Sequence, residues 1–236
     1  MLDIIFPGLC IFCKKTSSGQ QLCNNCYSEI RFINSSNICI CCGIPFNSFN
    51  ESSYIPGHKC ANCIREKINF HKCRSIAHFD GTIRELLHGF KYKKKLGIGN
   101  FFIKLIIDHF PKDLNGFDLM MPVPLHIHKL REREYNQSAV FVNNLSKSLN
   151  CEKDLFSLVK SSETDPQINF KNRTMRKRNI LKSFSVNDIK KVEKRSILLV
   201  DDVYTSGSTI NECAKVLLKA GAGKVQALTL LRAVDI

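Results

Sequence analysis

The sequence lacks any hydrophobic segment that could cross a membrane. Within its 236 residues, no apolar run approaches the roughly 18 residues that indicate a transmembrane helix. Residues 1–7 also lack the basic start and the long apolar stretch of a secretory signal. We therefore expect a cytoplasmic protein with no integral membrane segment. Hydrophobic residues make up 44% of the chain, which is enough for a sizeable core.

Acidic residues are scarce relative to basic ones. The chain has 35 Lys and Arg residues against 21 Asp and Glu residues, a formal net charge of +14. The excess lies in residues 71–195, which hold 25 basic and 13 acidic side chains. Two clusters stand out there, at residues 91–95 and 173–178. Such clusters suit pyrophosphate, nucleic acid or anionic lipid, or they simply keep a surface soluble.

Cysteine, by contrast, is abundant near the N-terminus. Ten of the 12 cysteines fall in residues 10–73, and eight of them form four Cys-x-x-Cys pairs. In a cytoplasmic protein such pairs indicate metal ligands rather than disulfides. Two pairs complete a tetrahedral four-thiolate site, so eight ligands predict two structural zinc ions. The eight predicted ligands are Cys10, Cys13, Cys23, Cys26, Cys39, Cys42, Cys60 and Cys63.

The pairing of these motifs stays open at this point. Sequence order suggests one site from the first two pairs and one from the last two, and a cross-braced arrangement is the alternative. Iron–sulfur ligation by the same thiolates is a further alternative. His58 and His71 lie close enough in sequence to replace a cysteine ligand. Because residues 1–70 contain few large apolar side chains, we expect this module to need its metal in order to fold.

Residues 197–209 carry the clearest functional signal. Four aliphatic residues precede Asp201 and Asp202, and a hydroxyl- and glycine-rich turn then leads into an amphipathic run over residues 210–220. This pattern predicts a buried parallel strand, a loop at its carboxyl end, and a helix. Ligands of open α/β sheets bind at that edge.

The residue types of this loop suit a phosphorylated sugar. Unpaired N–H groups at a helix N-terminus, together with hydroxyl donors, favour phosphate. Gly207 permits a close backbone approach. Asp201 and Asp202 would repel phosphate and instead suit ribose hydroxyls or a divalent cation. The predicted phosphate-binding residues are Thr205, Ser206, Gly207, Ser208 and Thr209.

Two other nucleotide-binding loops are excluded. A Walker A loop needs a lysine after its glycines, and residues 205–209 contain none. Residues 220–224 lack the third glycine of a dinucleotide-binding fingerprint and follow a helix, so they predict a helix C-cap turn into the last strand.

Strands and helices alternate through the rest of the chain. Apolar patterns predict strands near residues 75–79, 119–123, 155–159 and 225–231, and helices near residues 81–90, 96–110 and 136–149. This order predicts a mostly parallel sheet with helices on both faces. Residues 164–184 are basic and poor in apolar side chains, which favours a loop over an anionic ligand, with a plain surface excursion as the alternative.

These motifs together resemble those of a known family. Residues 197–209 resemble the motif with which type I phosphoribosyltransferases bind phosphoribosyl pyrophosphate (PRPP). With the cysteine pairs, the chain resembles the ComF family, whose members join an N-terminal zinc ribbon to a phosphoribosyltransferase domain. The other matching motifs are Phe90-Lys91-Tyr92, Pro122-Val123-Pro124-Leu125-His126, Arg131-x-Arg133-x-Tyr135-Asn136-Gln137, Thr164-Asp165-Pro166-Gln167 and Arg178-Asn179. One departure is Glu134-Tyr135, where the family usually has Gly-Phe.

The resemblance implies a fold and a set of site residues. It implies a double zinc-ribbon module over residues 1–70 and a type I phosphoribosyltransferase-like α/β domain over residues 71–236. Asp201 and Asp202 would hold the ribose hydroxyls of PRPP, which binds with Mg²⁺, and the loop would cradle the 5′-phosphate. The candidate groups for the pyrophosphate are Lys91, Arg131, Arg133 and Arg178.

The resemblance also implies a role in natural transformation, in the uptake of single-stranded DNA at the inner face of the cell membrane. Two functions stay open. One is transfer of the phosphoribosyl group to a nitrogen nucleophile. The other is a non-catalytic module that senses PRPP and binds single-stranded DNA or a partner in the DNA-uptake machinery. Phe90 and Tyr92, beside Lys91 and Lys93–Lys95, supply the aromatic and basic groups that single-strand binding needs.

We predict that the basic run contributes to binding of single-stranded DNA. Changing Lys93, Lys94 and Lys95 to Glu should weaken DNA binding and flatten its salt dependence, since each lost phosphate contact lowers the slope by about 0.7 for single strands. PRPP affinity should persist. Titrations at several salt concentrations measure this effect, and unchanged DNA affinity in the variant would show that these lysines only solubilise the surface.

Overall fold

The computed structural model describes residues 8–17, 20–34, 36–46, 57–92, 96–160 and 184–233. The sequence-based expectations for Lys93–Lys95, for residues 164–167 and for Arg178 fall outside these residues. No helix within the described ranges has both the length and the apolar character that a membrane crossing requires.

Short helices and strands alternate along the described chain. The helices are α1 (Asn24–Ser28), α2 (Ala61–Arg65), α3 (Gly81–Tyr92), α4 (Leu96–Asp108), α5 (Ile127–Arg133), α6 (Gln137–Ser148) and α7 (Ser208–Lys219). The strands are β1 (Lys72–His78), β2 (Leu119–Pro122), β3 (Glu152–Lys153), β4 (Leu158–Lys160), β5 (Phe184–Val186), β6 (Ser196–Tyr204) and β7 (Lys224–Arg232).

The main sheet has five strands in the order β1-β7-β6-β2-β3, and every pairing in it is parallel. The predicted parallel α/β sheet is therefore confirmed. Strand β6 is buried on both faces because its side chains alternate between two cores. Leu198 and Val200 face the core that contains α3, α4 and α6, whereas Ile197 and Leu199 face the core that contains α7.

The predicted strand at residues 155–159 lies outside this sheet. Strand β4 instead pairs antiparallel with β5. Asp154 explains the departure, because its carboxylate accepts hydrogen bonds from the backbone N–H groups of Phe156 and Ser157. Such a turn redirects the chain directly after the two-residue strand β3.

Helix α5 was not predicted, and it ends in an unusual conformation. Its C-cap, Glu134, has φ +67°, in the left-handed region that favours glycine. This is the position at which the sequence departs from the Gly-Phe of the ComF pattern. A glycine would adopt this conformation with less strain than Glu134 does.

The cysteine-rich module packs against both cores and covers the sheet edge. Residues 31–33 pair antiparallel with the outer side of β1, through a bridge between Phe32 and Ala77 and a hydrogen bond from the N–H of Ile33 to the carbonyl of Ile76. Because an unpaired edge strand invites association with other chains, this pairing protects the sheet.

Two cysteine clusters lie on opposite faces of the sheet. The first cluster (Cys10, Cys13, Cys23 and Cys26) packs with the core of α3, α4 and α6. The second cluster (Cys39, Cys42, Cys60 and Cys63) packs with the core of α7. The buried guanidinium of Arg74 holds the second cluster in place, because it contacts the carbonyl of Ile40 (3.2 Å) and the carboxylate of Asp113 (2.7 Å).

Phe90, a candidate for stacking on nucleic-acid bases, is instead a central core residue. It has no exposed surface, and its ring lies 5.8 Å from Phe102 and 5.9 Å from Phe141, measured between centroids.

We predict that Phe90→Ala lowers the free energy of unfolding by about 3–5 kcal/mol, because it leaves a cavity. Phe156→Ala is the matched control, since that ring is 78% exposed. Chemical denaturation measures both, and equal effects would contradict this assignment.

Candidate functional site

The order of strand β6, loop and helix α7 places the candidate site at the carboxyl edge of the sheet, where the neighbouring strands β2 and β6 end at different heights. Strand β2 ends at Pro122, which pairs with Val200, whereas β6 continues to Tyr204. Helix α6 contacts β2 and β6 on one face, and α7 contacts β7 on the other. Asp201 and Asp202 therefore lie in the crevice where the helical connections change sides, which is the usual ligand site of such sheets.

Asp201 is held by hydrogen bonds to its carboxylate. Its Oδ1 accepts from the hydroxyl of Ser138 (3.1 Å) and from the N–H of Asp202 (2.9 Å). Burial and the adjacent charge of Asp202 nevertheless raise the pKa of Asp201 to about 7. Near neutral pH the pair can therefore carry either one or two negative charges. Such a pair can accept hydrogen bonds from sugar hydroxyls or coordinate a cation.

Lys91 is the charged partner of the second acid. Its Nζ lies 2.7 Å from Oδ2 of Asp202, and both side chains are largely buried. The structure thus brings one of the four candidate pyrophosphate groups to the acid pair, although the two residues are far apart in sequence. An ion pair withdrawn from water in this way costs desolvation energy, which indicates a role other than stability.

The loop after β6 turns tightly into the N-terminus of α7. Gly207 has φ +76° and directly precedes α7. A Cβ at this position would collide with the hydroxyl of Tyr204, so glycine is required both by its conformation and by its contact. The hydroxyls of Ser206 and Ser208 lie 2.9 Å apart on the exposed side of the loop. Thr205 is also exposed, and Thr209 lies in the first turn of α7.

A cavity of about 290 Å³ lies between this loop and the segment that joins the second cysteine cluster to β1. Asn211 of α7 fixes that segment, because its side chain accepts from the N–H of Asn69 (2.7 Å) and donates to the carbonyl of Lys67 (3.0 Å). The loop residues Ser206 and Gly207 line the cavity together with Lys67.

The candidate arginines of α5 lie in different environments. Arg131 is exposed. Arg133 is buried, where it donates to the Tyr92 hydroxyl (2.9 Å) and to Oε1 of Gln137 (3.3 Å). Its guanidinium also lies over the Tyr92 ring. Arg133 therefore contacts the residue next to Lys91 and helps fix the end of α3. Arg178 lies outside the described residues.

Two residues near the acid pair were missed by the sequence analysis. Ser138 hydrogen-bonds Asp201 because Asn136 caps α6 and also donates to the carbonyl of Val123, which ties the start of α6 to the end of β2. The Asn136-Gln137 motif was a usable signal for this contact. Lys160, at the end of β4, had no sequence signal. Burial lowers its pKa, and the charge of Asp201 opposes that shift.

Each cysteine cluster fits a zinc ion. The four sulfur atoms of each cluster lie within 4.8 Å of one another, and the Sγ atoms of Cys13 and Cys23, like those of Cys42 and Cys60, are 3.7 Å apart. A tetrahedral site with Zn–S bonds of about 2.3 Å requires sulfur separations of about 3.8 Å. Consecutive pairs thus form the sites, and the cross-braced alternative is wrong. Neither His58 nor His71 belongs to a cluster.

Comparisons with known proteins give matches for both parts of the chain. The sequence model of the double zinc ribbon domain matches residues 1–64, and that of the phosphoribosyl transferase domain matches residues 136–234. The adenine phosphoribosyltransferase of Thermoanaerobacter pseudethanolicus is similar in structure, with a TM-score of 0.37 and 14% identity over 60% of this chain and 83% of that one.

Three relatives match along nearly their whole length. "DNA utilization protein YhgH" of Escherichia coli K12 is 28% identical and covers 96% of this chain and 97% of its own. "Competence protein F" of Haemophilus influenzae is also 28% identical, with 98% and 93% covered. "Competence protein ComFC" of Bacillus subtilis is 26% identical, with 90% and 85% covered. With matches to a double zinc ribbon domain, to a phosphoribosyl transferase domain and to these relatives along nearly their whole length, the chain is similar to the ComF proteins.

Proposed function

We propose that the protein binds PRPP in the crevice between β6 and β2 and that it acts in the use or uptake of DNA, as the names of its relatives indicate. The observation that carries the proposal is the continuation of β6 beyond β2. It places two adjacent carboxylates beyond the end of β2, on the strand that leads through residues 203–206 to Gly207 and the N-terminus of α7.

The loop would hold the 5′-phosphate. The first N–H groups of α7 have no partners within the helix, and the helix dipole favours an anion there. The hydroxyls of Ser206 and Ser208 add donors on the same side. The positive φ of Gly207 turns the backbone so that these donors follow one another along the loop.

The acid pair would hold the ribose. Carboxylates accept hydrogen bonds from the two ribose hydroxyls, and they can do so directly or through the waters of Mg²⁺. Asp201, Asp202 and the Ser138 hydroxyl supply the oxygen atoms for such a site. Mg²⁺, when bound with PRPP, would neutralise the pyrophosphate.

We also propose phosphoribosyl transfer as the reaction. The bond from C1 of the ribose to the pyrophosphate oxygen breaks, a bond from C1 to an acceptor nitrogen forms, and that nitrogen loses its proton. Charge develops on the leaving pyrophosphate, and fixed cations stabilise it best where water is excluded. Lys91 and Lys160 are two such cations beside the acid pair, and both are partly withdrawn from water. PRPP sensing without transfer is the alternative function.

Replacing both acids with Asn should weaken PRPP binding about tenfold or more, because a charge-assisted hydrogen bond contributes roughly 1.5–3 kcal/mol. Calorimetry with PRPP and Mg²⁺ measures this change. Asp118→Asn is a matched control, since that carboxylate is exposed at the opposite edge of the sheet, beside the start of β6. Adding nitrogen bases and following pyrophosphate release separates transfer from sensing. Equal PRPP affinity in the double variant and the wild type would refute the site.

The raised pKa of Asp201 predicts a pH-dependent cost to stability. The folded chain holds a proton on Asp201 up to a pH of about 7, whereas the unfolded chain releases it near 3.8, so stability falls as the pH rises between these values. Asp201→Asn removes this loss. The midpoint of thermal unfolding of the variant, relative to the wild type, should therefore rise from pH 5 to pH 8. A constant difference over that range would show that the carboxyl group ionises normally.

A further inference from the structure

Arg232 connects the second cysteine cluster to Tyr204, the last residue of β6. It is the last residue of β7 and is 3% exposed. One guanidinium nitrogen, Nη1, donates to the carbonyl of Cys42 (2.6 Å), and Nη2 donates to its Sγ (3.4 Å). Arg232 therefore contacts both the backbone and the sulfur of a predicted zinc ligand.

The same guanidinium also contacts Tyr204. Its central carbon lies 4.1 Å from the centroid of the Tyr204 ring, and that ring is 6% exposed. The hydroxyl end of this ring occupies the space that a side chain at Gly207 would need. Cys42, Arg232, Tyr204 and Gly207 thus form one continuous series of buried contacts from the metal cluster to the phosphate loop.

The metal decides how firmly this series is anchored. Four sulfur ligands around Zn²⁺ would fix Cys42, and with it the carbonyl and the sulfur to which Arg232 donates. Loss of the metal releases Cys42 from the cluster and so frees the anchor of the guanidinium. Among the described residues, Nε of Arg232 has no hydrogen-bond partner. The position of the guanidinium therefore depends on Cys42 and on the Tyr204 ring.

We propose that Arg232 and Tyr204 are positioning residues that couple metal binding at the second cluster to PRPP binding at the phosphate loop. This inference rests on the proposed function. The metal fixes Cys42, and Cys42 holds Arg232. Arg232 in turn holds the Tyr204 ring, and the ring fixes the backbone of Gly207, where the N–H donors of the phosphate loop begin. Such coupling is reciprocal, so PRPP must strengthen metal binding by the factor with which the metal strengthens PRPP binding.

The first cluster provides an internal control. It packs on the opposite face of the sheet, with the core of α3, α4 and α6. PRPP should therefore protect one of the two metal ions and leave the other unaffected.

The test measures zinc release from the full-length protein. The protein carrying two zinc ions is mixed with a zinc-selective colorimetric chelator in excess Mg²⁺, with and without PRPP. We expect PRPP to slow the release of one zinc ion about fivefold or more, the lower end of typical coupling, and to leave the second unchanged. Calorimetry on the same protein reports PRPP binding independently.

Two buried arginines separate the coupling from simple support of the cluster. Arg232→Lys should remove the protection by PRPP and also lower PRPP affinity. Arg74→Lys is the matched control, because Arg74 also supports the loop of the second cluster, but through the carbonyl groups of Cys39 and Ile40 rather than through Cys42. It should speed release of the second cluster's zinc while PRPP still slows it.

The outcomes distinguish the two proposals. If PRPP binds and both zinc ions leave at unchanged rates, the coupling is wrong and the PRPP site stands. If the wild-type protein does not bind PRPP, the proposed function and the coupling are both wrong. If PRPP protects both ions equally, the effect is general stabilisation, and the specific series through Arg232 is wrong.

Discussion

Two carboxylates side by side at the end of a buried strand constrain everything around them. Like charges at this distance repel, and burial strengthens the repulsion. Two elements supply direct partners: Lys91 of α3 pairs with Asp202, and Ser138 of α6 donates to Asp201. The charge of Asp201 also acts on Lys160 of β4. The two direct contacts fix α3 and α6 relative to β6, so the positions of these helices and the electrostatics of the site depend on each other. A chain selected for stability alone would avoid such a pair.

The zinc ribbons are part of this solution. They do not form a separate appendage, because the two clusters pack on opposite faces of the sheet and residues 31–33 cover its outer strand. In addition, Arg232 of β7 contacts both Cys42 of the second cluster and the ring of Tyr204, which lies on β6, the strand that carries the acids. Metal binding therefore contributes to the same cores that position the site, in a chain whose N-terminal part has few large apolar residues of its own.

Local sequence patterns predicted the parts of the structure that depend on local chemistry. The four aliphatic residues before Asp201 predicted β6, the cysteine spacing predicted two four-cysteine clusters, and Gly207 predicted a tight loop before α7. The contacts between distant segments were beyond such patterns. Ser138 meets Asp201 across 63 positions of sequence, and nothing near Lys160 shows that β4 leaves the sheet to approach the site. Helix α5 was missed because its seven residues are mostly basic or polar and it ends at a non-glycine residue with positive φ.

Strands β4 and β5 pair antiparallel, and residues 161–183 lie between them in the sequence. Lys160 and Phe184 are direct partners across the two strands, so the two ends that flank these residues are adjacent in the fold. The entropy of closing a connection grows only slowly with its length, by about 0.6 kcal/mol for each doubling. A change in the number of residues between these two ends should therefore cost the described fold little.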